Sequence, residues 1–142
     1  MNSLVSPAAA DIDGMGHVNN SVYLRWVERA VHDHWRAMAQ PSEFAAILWV
    51  AARHEVDYRR PALLGDQLNI DVRLDSVRRA RAWYETIISR DGVTLVEAKS
   101  CWLSLDAETR TLIPIPRETD PHTRRKRHPI SSPRFCHNLL TC

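Results

Sequence analysis

Residues 11–28 read DIDGMGHVNNSVYLRWVE, and this stretch organises the chain around the entrance of one helix. Two aspartates, two glycines, a histidine and two asparagines precede an apolar pattern with a period near 3.6 residues. Asn19 or Asn20 is a suitable N-cap and Pro41 marks the far end, so we predict a helix over residues 21–39. Its apolar face comprises Leu24, Val27, Val31, Trp35 and Met38, with Tyr23 and Ala30 beside it.

After the helix the apolar period falls to two, which predicts β-strands. In residues 47–59 the alternating apolar side chains are Val50, Ala52, Val56 and Tyr58. In residues 67–76 they are Leu68, Ile70, Val72 and Leu74. Two further strand-like runs flank Asp91-Gly92, a strong hairpin signal, and a short N-terminal segment could add a fifth strand. We therefore predict an α+β domain in which an antiparallel sheet of about five strands curls around one long helix.

The last two strands carry large side chains on both faces. Trp83 and Ile87 lie on one side of the third strand, and Tyr84 and Ile88 lie on the other. A sheet that is apolar on both faces is typical of one that is covered on both. We expect the second face to pack on another subunit.

Composition limits the number of domains and the kinds of partner. With 142 residues, 44% of them hydrophobic, the chain can bury one core. A formal charge of +2 does not indicate nucleic acid or an anionic membrane, and no apolar run is long enough to span one, so we expect a cytoplasmic protein. We predict a domain over residues 1–118 and a basic, poorly ordered tail over residues 119–142, whose TRRKRHP run we interpret as solvated charge.

Metal and disulfide chemistry are not indicated. Cys101 lies in a strand-like run, and Cys136 and Cys142 lie near the end, without the close spacing of metal ligands. His32 and His34 are two residues apart on the helix and face different directions, which does not suit a shared metal.

The residues before the helix resemble the signature of a known family. The matching positions are Asp11-x-Asp13-x-Met15-Gly16-His17-Val18-Asn19-Asn20-x-x-Tyr23-Leu24. They are similar to hotdog-fold acyl-CoA thioesterases of the 4-hydroxybenzoyl-CoA thioesterase-like branch, nearest its bacterial long-chain acyl-CoA members. A second typical segment is Val56-Asp57-Tyr58-Arg59-Arg60-Pro61-Ala62, followed by Leu64-Gly65-Asp66, so the resemblance covers about residues 5–116.

Thioester hydrolysis gives the crowded helix entrance a chemical meaning. The reaction needs a carboxylate that activates water or attacks directly, and donors that stabilise charge on the carbonyl oxygen. The first amides of a helix lack intrahelical partners and carry the positive end of the macrodipole. An acid a few residues upstream, with glycines between, could therefore act beside them.

The resemblance implies individual roles. Asp13 takes the catalytic place, as general base or as nucleophile, and the polarising backbone amide lies at about Asn20. His17 orients the substrate or stabilises the aspartate; related plant acyl-carrier-protein thioesterases use a histidine here, although they have asparagine where this chain has Met15. We interpret Asp11 and Asn19 as turn and cap residues.

Substrate binding is less sharply indicated by the sequence. Gly16 allows close approach of the backbone, and Tyr23, with Trp26, Val27 and Trp49, could line an apolar slot or simply form core. Arginines pair well with the phosphates of coenzyme A, and Arg59 and Arg60 are our main candidates. Arg78, Arg79 and Arg81 are further candidates, and all five could equally be solvated charge.

The prediction is a homo-oligomeric acyl-CoA thioesterase, a dimer or a dimer of dimers, with no metal and no redox cofactor. Coenzyme A enters only as part of the substrate. Two alternatives remain open: a thioesterase that acts on acyl-carrier protein, and a non-catalytic hotdog protein that binds acyl-CoA.

Overall fold

A computed structural model describes residues 1–124 of the chain. The strands are β1 (Asn2–Val5), β2 (Ile47–Tyr58), β3 (Leu68–Arg78), β4 (Arg81–Arg90) and β5 (Val93–Asp106). The helices are α1 (Asn20–Met38), α2 (Pro41–Ala46) and α3 (Pro121–Arg124). Single 3₁₀ turns occupy Ala9–Asp11 and Arg117–Thr119. The long helix and the strands that follow it are confirmed, and the N-terminal segment does supply a fifth strand.

All five strands form one antiparallel sheet in the order β1-β3-β4-β5-β2. Tyr84 of β4 lies opposite Leu74 of β3 on one side and Ser100 of β5 on the other, which fixes the central register. The short β1 and the long β2 therefore form the two edges. Asp91 and Gly92 both have positive φ, +51° and +77°, as expected for a two-residue hairpin turn between β4 and β5.

Helix α1 packs against one face of the sheet. Its buried residues are Val22, Tyr23, Val27, Ala30, Val31 and Trp35, whereas Leu24 and Met38 are half-buried. The facing strand residues include Leu68, Ile70, Val72, Tyr84, Ile88, Val96 and Trp102. The predicted inward face of β3 is confirmed, because Leu68, Ile70, Val72 and Leu74 are all buried.

The predicted face of β2 is wrong over its first half. Val50 and Ala52 are exposed, and Trp49 and Ala51 turn inward instead. The cause is a β-bulge between Ala51 and Arg53, where one extra residue shifts the pairing with β5. Beyond the bulge the alternation resumes, and Val56 packs against the core as predicted, whereas Tyr58 at the end of the strand is 42% exposed and not part of the predicted inward face.

Two other predictions have a structural counterpart here. On β4, Tyr84 and Ile88 are buried under α1. On the outer face of the same strand, Trp83 is half-buried and Ile87 is exposed. The packing of this outer face on another subunit stays a prediction.

Helix α3 contacts β3, and residues 125–142, most of the predicted tail, lie outside the described residues. Among the helices in residues 1–124, none has the length and hydropathy required to cross a membrane.

Candidate active site

The motif before α1 folds into a small hairpin-like loop. The Asn19 N–H donates to the Asp11 carbonyl at 2.8 Å, and the Asp13 N–H donates to the His17 carbonyl at 2.8 Å. Gly16, at φ +79°, donates its N–H to the Asp13 carbonyl at 3.0 Å. A positive φ suits glycine because it has no Cβ. The loop therefore holds Asp13 and His17 opposite each other, just before the helix.

The two aspartates of the motif differ in how their carboxylates are used. Asp11 is fully engaged: one oxygen accepts from Arg25 at 2.9 Å and the other accepts from the Ala8 N–H at 2.8 Å. Asp13 Oδ1 accepts from the Met15 N–H at 2.9 Å, and Oδ2 has no hydrogen-bond partner within residues 1–124. The interpretation of Asp11 as a residue that stabilises the local turn is thus supported. Asp13 keeps one carboxylate oxygen free of hydrogen bonds to residues 1–124.

The two asparagines at the start of α1 also differ. Asn19 is the N-cap, and its side-chain oxygen accepts from the Ser21 N–H at 3.0 Å and from the Ser21 hydroxyl at 2.8 Å. Asn20 is the first helical residue, and its backbone N–H is not used in any hydrogen bond of the described residues. It therefore points an unpaired donor out of the positive end of a 19-residue helix.

A surface depression of about 190 Å³ lies beside this helix end. It is lined by His17, Val18, Asn20, Tyr23, Tyr58, Arg59, Arg60 and Pro61. Five of the seven residues named from the sequence for the site thus lie together. Asp13 and Gly16 do not line the depression; they lie in the adjoining loop, which reaches it at His17.

Ala62 ties the depression to the motif loop. The Val18 N–H donates to the Ala62 carbonyl at 2.9 Å, and the Ala62 N–H donates to the Tyr23 hydroxyl at 2.9 Å. Tyr23 and Ala62 are 2% and 0% exposed. Burial raises the pKa of the Tyr23 hydroxyl, so the hydroxyl stays protonated at neutral pH. Tyr23 therefore positions the segment that carries Arg59 and Arg60.

Tyr58 belongs to the depression although the sequence pointed only to core packing for it. Its hydroxyl donates to the Asn20 carbonyl at 3.1 Å, and its ring meets that of Tyr23 edge to face at 5.6 Å between centroids. The sequence signals for it were its place next to Arg59 at the end of a strand and its position in the second segment typical of the family. Trp26, Val27 and Trp49 do not line the depression, and Val27 is fully buried core.

The candidate arginines fall into two separate groups. Arg59 pairs with Glu97 at 2.7 Å, and the Arg60 side chain forms no ion pair with any described residue. Both line the depression. Arg78, Arg79 and Arg81 line a different cavity, at the turn between β3 and β4.

The remaining titratable side chains give no metal centre within residues 1–124, where no group of three or more His, Cys, Asp or Glu could hold a metal ion. His32 packs on Trp102, whereas His34 bonds to Tyr84, its Nδ1 lying 3.2 Å from the hydroxyl oxygen. Cys101 is a free, buried thiol, and the other two cysteines lie beyond the described part of the chain.

Comparison with known proteins places this geometry in a family. The family model of the thioesterase-like superfamily matches residues 7–124. A thioesterase from Thermus thermophilus, complexed with coenzyme A and Zn, is similar with a TM-score of 0.71 and 29% identity, over 81% of this chain and 90% of that one. No curated protein matches the chain.

Two more distant structures share the fold. The probable thioesterase YbaW from Escherichia coli is similar with a TM-score of 0.69 and 23% identity, over 80% of this chain and 89% of that one. Slr0204, a 1,4-dihydroxy-2-naphthoyl-CoA thioesterase from Synechocystis, is similar with a TM-score of 0.69 and 18% identity, over 81% of this chain and 88% of that one.

A sheet of five antiparallel strands on one long helix, with its polar motif at the helix entrance, is a hotdog fold. The chain belongs to the thioesterase-like superfamily and is a thioester hydrolase. The family and the fold predicted from the motif are confirmed.

Proposed function

We propose that the chain hydrolyses an acyl-CoA thioester to the free acid and coenzyme A, at the entrance of α1. The observation that carries the proposal is the pair of unused groups there: Asp13 Oδ2 and the Asn20 N–H. One can accept a proton or attack carbon, and the other can stabilise an oxyanion. The similar thioesterase from Thermus thermophilus, which was solved with coenzyme A, supports this substrate class.

In the general-base form of the reaction, Asp13 Oδ2 takes a proton from water as the water oxygen attacks the thioester carbonyl. The negative charge that develops on the carbonyl oxygen is stabilised by the Asn20 N–H and the helix dipole. The carbon–sulfur bond then breaks, and the leaving thiolate takes the proton from Asp13. In the nucleophilic form, Asp13 itself displaces the thiolate to give an anhydride, which water hydrolyses. Both forms need the same two groups.

His17, Tyr23, Arg59 and Arg60 form the surroundings of the thioester in this proposal. Arg60 is the stronger candidate for a phosphate of coenzyme A, because Arg59 is already paired with Glu97. His17, which lies opposite Asp13 in the loop, would orient either the substrate or the carboxylate. Gly16 allows the loop to turn tightly between them.

The proposal includes a homo-oligomer that is formed along β2, and a cytoplasmic location. β2 has 12 residues and lies at the edge of the sheet, so its outer row of backbone groups has no strand partner within residues 1–124. Long exposed edges are usually covered, and a second copy would cover this one. Sedimentation of the purified chain tests this part: a monomer would contradict it.

The first experiment measures release of coenzyme A from C2 to C18 aliphatic and aromatic acyl-CoAs by the wild type and by Asp13→Asn. We expect a loss of about 10²- to 10⁴-fold in kcat for the variant, with unchanged folding by circular dichroism. Asp91→Asn is the matched control, because Asp91 is exposed in the turn between β4 and β5 and lies outside the depression. Equal turnover by Asp13→Asn and the wild type would remove Asp13 from the mechanism.

The Asn20 amide can be tested separately by Asn20→Pro. Proline is tolerated at the first helical position, and Asn19, at φ −60° and ψ 136°, already has the extended backbone that must precede proline. The substitution removes the backbone N–H together with the side-chain amide, and we expect a loss of about 10²- to 10³-fold in kcat with the helix intact. Asn20→Ala keeps the N–H and should retain activity. A loss in both variants would assign the role to the side chain instead.

Two other functions are outcomes of the same assays. Faster turnover of a carrier-protein thioester than of the coenzyme A thioester of the same acid would indicate an acyl-carrier-protein thioesterase. Binding of acyl-CoA without any turnover would indicate a non-catalytic member of the family.

A further inference from the structure

Tyr58 is a polar residue of the depression that the reaction proposed above leaves unused. Its side chain lines the depression together with Asn20. Its hydroxyl donates to the Asn20 carbonyl oxygen at 3.1 Å. Asn20 is also the residue whose backbone N–H would stabilise the oxyanion. One donor from α1 and one donor from β2 therefore lie at the same residue of the helix entrance.

The Asn20 carbonyl does not depend on Tyr58 for a hydrogen bond. Asn20 is the first residue of α1, so its carbonyl accepts from the N–H four residues further along the helix. A carbonyl oxygen has two lone pairs, and the bond from Tyr58 uses the second one. Tyr58 is 42% exposed, so water can replace that bond. The hydroxyl can therefore turn to a substrate without leaving a buried group unpaired.

The rest of Tyr58 is held firmly beside the helix entrance. Tyr58 is the last residue of β2 and pairs with Val96 of β5. The N–H groups of the next two residues both donate to the Leu95 carbonyl, at 2.8 and 3.1 Å. The Tyr58 ring also packs edge to face on the ring of Tyr23, which is 2% exposed. The sheet and Tyr23 thus fix the position from which the hydroxyl donates.

The protonation state of Tyr58 suits a hydrogen-bond donor. Burial raises the pKa of the Tyr58 hydroxyl above its usual 10, so the group carries its proton at neutral pH. Oxyanion holes combine backbone N–H groups with side-chain donors, and tyrosine hydroxyls are among these donors. The Asn20 N–H supplies one donor of such a pair. A second donor is what the depression lacks in the reaction as described above.

We propose that Tyr58 is a catalytic residue that supplies the second oxyanion donor. The inference rests on the thioester hydrolysis proposed above. The thioester carbonyl oxygen enters beside the Asn20 N–H, and the Tyr58 hydroxyl donates to it instead of to the Asn20 carbonyl. This hydrogen bond strengthens as negative charge develops on the oxygen, so it stabilises the transition state more than the bound substrate. Tyr58 keeps its proton throughout the reaction.

Tyr58→Phe removes the hydroxyl and keeps the ring. We expect kcat to fall about 10²-fold, the lower end of the loss for one oxyanion donor, with KM nearly unchanged. Tyr84→Phe is the matched control, because it removes a tyrosine hydroxyl that bonds to His34 outside the depression, and it should turn over as the wild type does. Equal kcat of Tyr58→Phe and the wild type, beside a large loss in Asp13→Asn, would overturn this proposal and leave the proposed hydrolysis standing.

A second measurement does not need turnover. A ketone analogue of an acyl-CoA, with CH₂ in place of the sulfur and an isotope-labelled carbonyl, cannot be hydrolysed. Hydrogen bonds to its oxygen lower the infrared stretching frequency of the carbonyl, so we expect a lower frequency in the wild type than in Tyr58→Phe. Fluorinated tyrosines at position 58, each at a pH where the phenol stays protonated, should lower the frequency further as the phenol becomes more acidic. A tyrosine with a purely structural role would not follow the acidity.

Two infrared results would overturn the proposal. A frequency that is unchanged in Tyr58→Phe and raised in His17→Gln would assign the second donor to His17, which also lines the depression. A frequency that is raised in Tyr58→Phe, but independent of the acidity of the fluorinated tyrosines, would reduce Tyr58 to a positioning residue for the start of α1. Absence of turnover by the wild type, with a frequency that follows the acidity, would refute the proposed hydrolysis and keep Tyr58 as a donor to the bound carbonyl.

Discussion

Tyr23→Phe tests the link between helix α1 and the segment that carries the arginines of the site. The substitution removes a hydroxyl and leaves the ring in place. Its cost follows from the donor left behind: the Ala62 N–H bonds to Tyr23 at 2.9 Å, and Ala62 is 0% exposed. A buried donor that loses its only partner costs about 1–3 kcal/mol, so we expect the free energy of unfolding to fall by about 2 kcal/mol.

The measurement is urea unfolding monitored by circular dichroism, with Tyr58→Phe as the matched control. Tyr58 is 42% exposed and its partner, the Asn20 carbonyl, lies at the surface, so water can replace the lost bond. We expect a change of about 0.5 kcal/mol or less for the control. Because Arg60 lies two residues before Ala62, Tyr23→Phe should also raise KM more than it lowers kcat.

Equal stability of the two tyrosine variants would refute this reasoning. It would mean that the Ala62 N–H finds another partner, or that the Tyr23 bond does not hold the segment. A loss in kcat alone would instead make the Tyr23 hydroxyl part of the chemistry.

Three further predictions concern stability, all measurable by urea unfolding. Asn19→Ala removes the N-cap and should lower the free energy of unfolding by about 1 kcal/mol; no change would contradict the capping role. Gly16→Ala places a Cβ at φ +79° and should cost about 1–2 kcal/mol, whereas Gly14→Ala, without a positive φ, should cost under about 0.5 kcal/mol. Burial, and then the charge of the N-terminal ammonium, lower the pKa of His34 below its usual 6.5, so the unfolded chain binds this proton first and stability should fall as pH drops below about 6.5. His34→Gln, which can still bond to Tyr84, should reduce that pH dependence, and an unchanged dependence would show that other groups cause it.

The sequence predicted the elements that have one strong period and one buried face. Helix α1 and the inward residues of β3 are of this kind, because a single apolar stripe decides their orientation. The prediction of the inward face was wrong for the first half of β2, and the reason is definite. An alternating pattern assumes an uninterrupted pleat, and one extra residue at Ala52 reverses the faces without any change in composition.

Other features of the site could not be read from the chain because they depend on pairing across long sequence separations. The sequence named Arg59 and Arg60 first among five candidate arginines but could not place any of them in space, and the structure separates these two from the three at the β3–β4 turn. Tyr58 was missed for the same reason: its bond to the Asn20 carbonyl joins residues 38 positions apart.

The doubled residues of the motif explain why so much polar chemistry stands before one helix. A turn and a helix entrance each need polar partners, and a side chain that meets this need is no longer free to react. Asp11 bonds to Arg25 and to the Ala8 N–H, and Asn19 caps the helix, so these two residues satisfy the local structure. Asp13 Oδ2 and the Asn20 N–H are then left without partners in residues 1–124. In a motif with only one aspartate and one asparagine, the side chains that hold the loop and cap the helix would also have to serve the reaction. Groups used for the local structure would then not be free for a substrate.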